Sequence, residues 1–147
     1  MTQKDKELLL KDLCSRLPYG VKMNHIADDE HSPKTLIGIA KDMITLEGLG
    51  GYECVDVEDY KPYLFPLSSM TEEMIEKLNA YGFFKYRDTI TNVSHLISNN
   101  GINEEIYTYI DIECVLFLIE FFNSHHIDYR GLIPMGLAID ATGKNIY

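Results

Sequence analysis

The sequence predicts an α+β fold in which helices pack on a small antiparallel sheet. Three patterns indicate this: an amphipathic stripe near the N-terminus, short alternating segments separated by Gly- and Asp-rich turns, and a strongly apolar segment near the C-terminus. The chain has 147 residues, of which 46% are hydrophobic. This is enough for one sizeable core and too apolar for a disordered chain. We therefore predict a single compact domain over residues 1–147, with one candidate internal seam at residues 60–67.

The first predicted element is an amphipathic N-terminal helix. Its apolar side chains recur at the spacing of one helical face: Leu9, Leu10, Leu13, Cys14 and Leu17. Several charged side chains are predicted to lie off this face: Lys4, Lys6, Glu7, Lys11 and Asp12. Pro18 ends the helix, because proline cannot continue the hydrogen-bond ladder and restricts the residue before it.

Between Tyr19 and Asp59 the apolar period changes to that of β-strands. Val21, Met23 and His25 alternate with polar residues, and a glycine-rich turn at residues 48–51 precedes another alternating segment. These features predict a small antiparallel meander. An SH3-like half-barrel over residues 19–60 is the alternative.

The middle of the chain predicts a connector followed by a capped helix. Pro62 and Pro66 argue against a regular element between them. The Ser69-x-x-Glu72 spacing matches a capping box, and Gly82 is placed to end the helix.

The last third predicts a second β-hairpin, a buried helix and a short strand. The hairpin turn is Asn99–Gly101, followed by alternation over Ile106–Ile110. The helix covers Ile112–Ser124 and is apolar on almost every side, which is typical of a central core element. Glycine and proline dominate the tail, with one short strand expected at Gly136–Ile139.

Charge and cysteine content narrow the functional classes. The 13 Lys and Arg against 23 Asp and Glu give a net charge of −10, which disfavours direct binding to nucleic acid. No apolar stretch approaches the ~20 residues of a membrane span. The three cysteines, Cys14, Cys54 and Cys114, lack metal or redox spacing and are predicted to be reduced and buried. We therefore expect a cytoplasmic protein with no membrane association and no cofactor.

Two histidine clusters are the candidates for chemistry. His25, Asp28 and His31 offer ligand types suited to a divalent metal, although their spacing matches no metal motif and a solvated turn explains them better. His125, His126 and Asp128 form a candidate acid–base set at a helix end, where histidines also complement the helix dipole. Adjacent helical residues point about 100° apart, which argues against both histidines serving one substrate atom.

Tyrosine is the remaining compositional feature. The chain has ten tyrosines and no tryptophan. Tyrosine is favoured at recognition surfaces because it is large, amphipathic and inexpensive in entropy to order. The predicted binding surface consists of Tyr52, Tyr63, Tyr107, Tyr109 and Tyr129.

Three segments carry a resemblance to a known group of proteins: Leu17–Lys22, Lys61–Glu73 and Asp128–Ala138. Together they resemble short hypothetical proteins of gut anaerobic bacteria and of their phages and prophages. The resemblance implies a phage or mobile-element setting and an accessory role. It implies no activity and no catalytic residue.

These observations favour a non-enzymatic accessory protein that binds another protein. An acidic surface steers association with a basic partner, including a nucleic-acid-binding protein. The alternative is a small metal-dependent or histidine-based hydrolase that uses one of the two histidine clusters. The sequence does not determine the oligomeric state.

Overall fold

A computed structural model describes residues 1–27, 33–80 and 112–147. In these residues the helices are α1 (Gln3–Arg16), α2 (Glu72–Ala80) and α3 (Ile112–Ser124). The strands are β1 (Lys22–His25), β2 (Lys34–Ala40), β3 (Met43–Gly48), β4 (Gly51–Asp56), β5 (Tyr60–Leu64) and β6 (Ile139–Asp140). The predicted α+β class is confirmed.

The strands form a mixed sheet in the order β4-β3-β2-β1-β5-β6. Neighbouring strands from β4 to β5 are antiparallel, so the predicted meander is confirmed, whereas β6 runs parallel to β5. The sheet continues beyond residue 60 through β5 and β6. An SH3-like half-barrel confined to residues 19–60 does not describe this arrangement.

The predicted connector around Pro62 is wrong, because this segment is the interior strand β5. Pro62 pairs with Met23 of β1 and precedes Tyr63, the first β5 residue that pairs with β6. Pro62 therefore lies where β5 has a partner on one side only, a position at which a strand tolerates the missing N–H. Tyr63 and Leu64 are fully buried, so β5 contributes directly to the core.

Helix α1 begins at a capping box and covers one face of the sheet. Thr2 Oγ1 accepts from the Asp5 amide, while Asp5 Oδ2 accepts from the Thr2 amide. Leu9 and Leu13 are fully buried, as predicted. The helix is rotated from the predicted stripe, because several charged side chains are also buried: Lys6, Asp12 and Arg16.

Two of the three cysteines are not core residues. Cys14 and Cys54 are free thiols with exposed residues, so the prediction of burial is wrong for both. Cys14 lies on the side of α1 that faces away from the sheet, and Cys54 lies on the edge strand β4. The side chain of Cys114 lies outside the described part.

Helix α2 begins two residues later than the capping-box spacing predicts. Thr71 Oγ1 accepts from the Met74 amide, whereas Ser69 donates its hydroxyl to the Pro66 carbonyl. Ser69 therefore closes a short 3₁₀ turn (Leu67–Ser69) and does not cap the helix. The predicted helix end at Gly82 and the predicted second hairpin lie outside the described residues.

Helix α3 has the predicted bounds but a one-sided burial. Leu118, Phe121 and Phe122 are buried, while Leu116 is 60% exposed and Ile119 is 38% exposed. The prediction of a core element is therefore right for one face of the helix only. The short strand near the C-terminus is β6 (Ile139–Asp140), which overlaps the predicted Gly136–Ile139 at Ile139 only.

The buried apolar residues form two clusters. One lies between α1 and the sheet and includes Leu13, Met23 and Leu46. The other surrounds the buried face of α3, with members from Leu67 onwards. Along the chain, the first cluster draws residues up to Leu64 and again from Leu132 to Ala138, and the second draws residues from Leu67 to Ile127.

Candidate functional site

Among the described strands, one edge of the sheet is the hairpin formed by β3 and β4. The two strands pair from Met43 with Asp56 to Gly48 with Gly51, and the turn between them is Leu49–Gly50. Gly51 has φ +103, a conformation that other residues rarely adopt. Among the described strands β4 pairs with β3 alone, so its second side is an open edge.

This hairpin exposes apolar side chains at its tip. Leu49 is fully exposed and Tyr52 is 73% exposed, although Ile44 and Leu46 on the same hairpin are fully buried. In an antiparallel pair, opposite residues point to the same face, so Tyr52 shares the outer face with Glu47. Within the described residues, the hairpin thus has one face packed on the core, and its other face and one edge lack a neighbouring strand.

The segment that contains the hairpin, residues 42–59, is also the most one-sided charged segment of the chain. Residues 42–59 contain no Lys, Arg or His and contain six carboxylates: Asp42, Glu47, Glu53, Asp56, Glu58 and Asp59. Charges of one sign concentrated on a short segment create a local field that attracts the opposite sign. A basic ligand is therefore favoured at this edge.

One cation from α1 offsets part of this charge. The Lys6 ammonium lies 3.0 Å from Glu58 Oε1 and 3.5 Å from carboxylate oxygens of Asp42 and Asp56. The hydrogen bond to Glu58 raises the pKa of Lys6, and the other two carboxylates raise it further. Three carboxylates around one ammonium leave the base of the hairpin net negative.

A second cation lies at the other end of the hairpin. Lys34 Nζ contacts Glu53 Oε1 and lies 3.2 Å from the Tyr60 hydroxyl, which in turn donates to Glu53 Oε1 at 2.9 Å. The hydrogen bond between Lys34 and Glu53 raises the pKa of Lys34 and lowers the pKa of Glu53. Neither shift brings the group closer to neutral pH, as a catalytic acid or base would require. Burial raises the pKa of Tyr60. All three groups are held in their ordinary protonation states, which suits charge recognition and not proton transfer.

A cleft opens beside this cluster. Its volume is about 510 Å³, and it is lined by residues at the start of β2 and around the hairpin turn: Pro33, Lys34, Gly48, Leu49, Gly50, Gly51, Tyr52 and Glu53. A volume of this size falls within the range of ~300–1,000 Å³ usual for ligand sites. A Cβ on Gly48 would lie 3.2 Å from Lys34 Cγ, so glycine at this position lets the Lys34 stem cross the hairpin toward Glu53.

Of the three residues in the predicted metal site, the structure describes only His25. The His25 ring packs edge-on against Tyr60, with 5.1 Å between centroids, and its Nδ1 accepts from the Ala27 amide at 3.2 Å. Asp28 and His31 lie outside the described residues. Within the described ranges, no three His, Cys, Asp or Glu side chains are placed to hold a metal ion.

The predicted catalytic residues make three separate sets of contacts. His125 Nδ1 donates to the Phe121 carbonyl at 2.8 Å, and its ring stacks on the Phe121 ring. Asp128 is buried and accepts from the amides of Leu132 and Ile133, both at 2.8 Å. The Asp128 carboxylate therefore organises the loop after α3.

His126 is buried and stacked on the ring of Tyr147, with 4.0 Å between centroids. Burial lowers the pKa of His126 to about 4, and the nearby charges of Arg16, His125 and Lys22 act in the same direction. This imidazole is neutral at physiological pH. The described contact of the His126 ring is the stacking on Tyr147, whereas His125 and Asp128 bond to other residues.

Of the described tyrosines in the predicted binding surface, one is exposed. Tyr52 is exposed, whereas Tyr63 is fully buried and the prediction for it is wrong. Tyr129 is half-buried, with the guanidinium of Arg16 at 5.5 Å and that of Arg130 at 4.8 Å from its ring centroid. Tyr107 and Tyr109 lie outside the described part of the chain.

Leu49 and Glu53 are the site residues that the sequence patterns missed. Leu49 lies between two glycines, so the pattern indicates a turn and gives no reason to expect an apolar contact residue. The run of six carboxylates without a basic residue at 42–59 is the signal that could have pointed to this hairpin.

Comparisons with known proteins add no family assignment. No protein-family model, curated protein or solved structure matches this chain. In the described ranges, none of the helices combines the length and the apolar character required to cross a membrane.

Proposed function

We propose that this protein acts by binding another protein, and that the partner adds a basic, extended segment to the open edge of β4. The observation that carries the proposal is the coincidence of three properties on one hairpin. These are an edge strand with no described neighbour on its second side, exposed apolar side chains at Leu49 and Tyr52, and six carboxylates without a basic residue over residues 42–59, which contain the hairpin.

The edge of β4 has the chemistry that strand addition needs. An edge strand presents unpaired N–H and C=O groups, and an added strand gains affinity from main-chain hydrogen bonds. Edges that avoid such pairing often carry proline or lysine, and β4 has neither. Side chains flanking the edge then decide which sequences bind.

Charge selects the kind of partner. Two copies of this hairpin would bring like charges together, so the acidic edge disfavours pairing with a second copy of the chain. A basic segment instead gains electrostatic steering and opposite-charge contacts. Basic segments are what nucleic-acid-binding proteins present to phosphate, so such proteins fall within the proposed class of partner.

The proposal includes the setting implied by the sequence resemblance, which is an accessory role in a phage or mobile element. It also includes a cytoplasmic location. The free thiols of Cys14 and Cys54 support this location, since exposed cysteines in oxidising compartments tend to form disulfides.

A random peptide library displayed on phage and selected on the immobilised protein tests the proposal. We expect the selected peptides to carry net positive charge and to alternate apolar residues, as an added strand requires. Hydrogen exchange with a selected synthetic peptide should slow at the amides of residues 51–56.

The test variants and their control are serine substitutions of exposed apolar residues. Leu49→Ser and Tyr52→Ser should abolish enrichment, whereas Leu116→Ser on α3 should leave it intact. Peptides whose binding survives both hairpin variants, or whose binding leaves the β4 amides unprotected, would overturn the proposal. Failure of the library to enrich any sequence would overturn it as well.

A further inference from the structure

The Glu53 carboxylate has an unequal set of hydrogen bonds. Both of its donors, Lys34 Nζ and the Tyr60 hydroxyl, bond to Oε1. No hydrogen bond to Oε2 is present within the described residues. The Glu53 side chain is 38% exposed and lines the cleft beside the hairpin turn. One charged oxygen is thus held in place and left available to a donor from outside.

Glu53 lies on the edge strand itself. It is a residue of β4, the strand to which the proposed partner pairs, and its side chain is held by Lys34 of β2 and Tyr60 of β5. Two bonds from different strands fix the carboxylate before any ligand arrives. Such preorganisation lowers the entropy that binding would otherwise cost.

The rest of the cleft suits a long side chain with a charged end. Pro33, Leu49 and Tyr52 supply apolar and aromatic lining. A guanidinium is planar, donates several hydrogen bonds and stacks on aromatic rings, whereas an ammonium is a strongly hydrated point charge. Tyr52 points to the opposite face of β4 from Glu53, so arginine is favoured over lysine by the planar, multi-donor guanidinium at the Glu53 carboxylate and not by stacking.

We propose that this cleft is the specificity pocket of the edge, and that it takes an arginine side chain of the added segment through Glu53 Oε2. This inference rests on the proposed strand addition at β4. It goes further by assigning the recognition of one side chain to one carboxylate.

Binding of three synthetic peptides by isothermal titration calorimetry tests the inference. The peptides share one basic, alternating sequence selected from the library and differ at one position, which is Arg, Lys or citrulline. Citrulline keeps the planar shape of arginine without its charge. We expect the Arg peptide to bind about tenfold more tightly than the citrulline peptide, the size of one charge-assisted hydrogen bond. The Lys peptide should fall between them.

The variants separate the carboxylate from general charge. Glu53→Gln should remove the preference for Arg over citrulline. The double variant Lys34→Gln/Glu53→Gln should remove it too, although it leaves the net charge of the cleft unchanged. Glu47→Gln makes the same charge change on the opposite face of the hairpin and should keep the preference. Circular dichroism and urea unfolding establish that each variant is folded.

The outcomes distinguish this inference from the proposed function. If all three peptides protect the β4 amides but bind equally, the pocket assignment is overturned and strand addition stands. If the preference for Arg persists in the double variant, Glu53 is not the selecting residue. If none of the peptides protects the β4 amides, the proposed function fails and the inference fails with it.

Discussion

Asp12 and Arg16 lie one turn apart on α1 and form a salt bridge in which neither side chain is exposed to solvent. Arg16 Nε donates to Asp12 Oδ2 at 2.7 Å, and Arg16 Nη2 donates to Asp12 Oδ1 at 3.1 Å. Arg16 also donates to the carbonyls of Phe122 and Ile127, so the pair joins α1 to the end of α3. Arg130 approaches the same carboxylate at 3.2 Å.

Asp12→Asn should therefore destabilise the protein strongly. The substitution leaves the Arg16 guanidinium buried without its counter-ion, and breaking a buried pair costs about 3–5 kcal/mol. The free energy of unfolding in urea measures the effect. Glu73→Gln, which breaks the exposed Glu73–Lys77 pair on α2, is the control and should change stability by less than about 0.5 kcal/mol. Equal effects of the two substitutions would contradict the role assigned to the buried pair.

The neutral, buried His126 should make stability depend on pH. Its pKa is about 4 in the folded protein against 6.5 for the free side chain. Between these values the unfolded chain binds a proton that the folded chain does not, so the unfolding free energy falls as pH drops from about 6.5 to about 4. The maximum slope is about 1.4 kcal/mol per pH unit, and the total loss is about 3 kcal/mol.

Urea unfolding across this pH range, compared between variants, checks the prediction. His126→Asn should flatten the dependence while tolerating the left-handed backbone at this position, where φ is 54. His125→Asn alters the neighbouring histidine and should keep most of the slope. A His126→Asn profile that parallels the unmodified protein would show that another group carries the dependence.

The Tyr147 hydroxyl forms hydrogen bonds to two strands of the sheet, β1 and β5. This hydroxyl donates to the Tyr63 carbonyl at 2.7 Å and accepts from the Lys22 amide at 3.2 Å. Tyr147→Phe keeps the stacking on His126 but removes both bonds, and should cost about 1–2 kcal/mol. Thermal and urea unfolding measure the loss. Tyr19→Phe removes only a hydroxyl 3.5 Å from Glu120 and should cost less than half as much.

Gly48→Ala should disturb the hairpin without changing its charge. The added Cβ would lie 3.2 Å from Lys34 Cγ, so the Lys34 stem has to move away from Glu53. We expect a loss of about 1 kcal/mol on urea unfolding, typical of a small overpacking. The control is Gly50→Ala, because nothing lies within 4 Å of a Cβ there. If Gly48→Ala behaved like Gly50→Ala, the packing of Lys34 on the hairpin would not limit this position.

The periodic patterns in the sequence predicted most of the described elements. The α3 bounds and the β3–β4 hairpin are right because apolar spacing and turn residues act locally. The prediction failed for β5, because its pairing with β1 and β6 outweighs the local effect of the two prolines. Two prolines predict a connector, but Pro62 lies before the first residue of β5 that pairs with β6.

The candidate site was only partly predictable. Tyr52 was singled out for its residue type, and the net charge of −10 pointed to a basic partner. Neither observation located the hairpin, because an edge strand is defined by the strand order and not by its own sequence. The predicted histidine candidates share a short segment of sequence, yet the described contacts of His125, His126 and Asp128 are separate.

By itself, the sequence determined the α+β class, the helical and strand periods and the acidity of the surface, since these follow from residue type and local spacing. Only the tertiary structure decided that Asp12 and Arg16 are buried, that Tyr63 belongs to the core and that β4 is an edge strand among the described strands. The physical reason is that burial and strand order depend on which elements pack together. The free energy that places a charged side chain inside comes from partners distant in sequence, as with Arg16 and the carbonyls of Phe122 and Ile127.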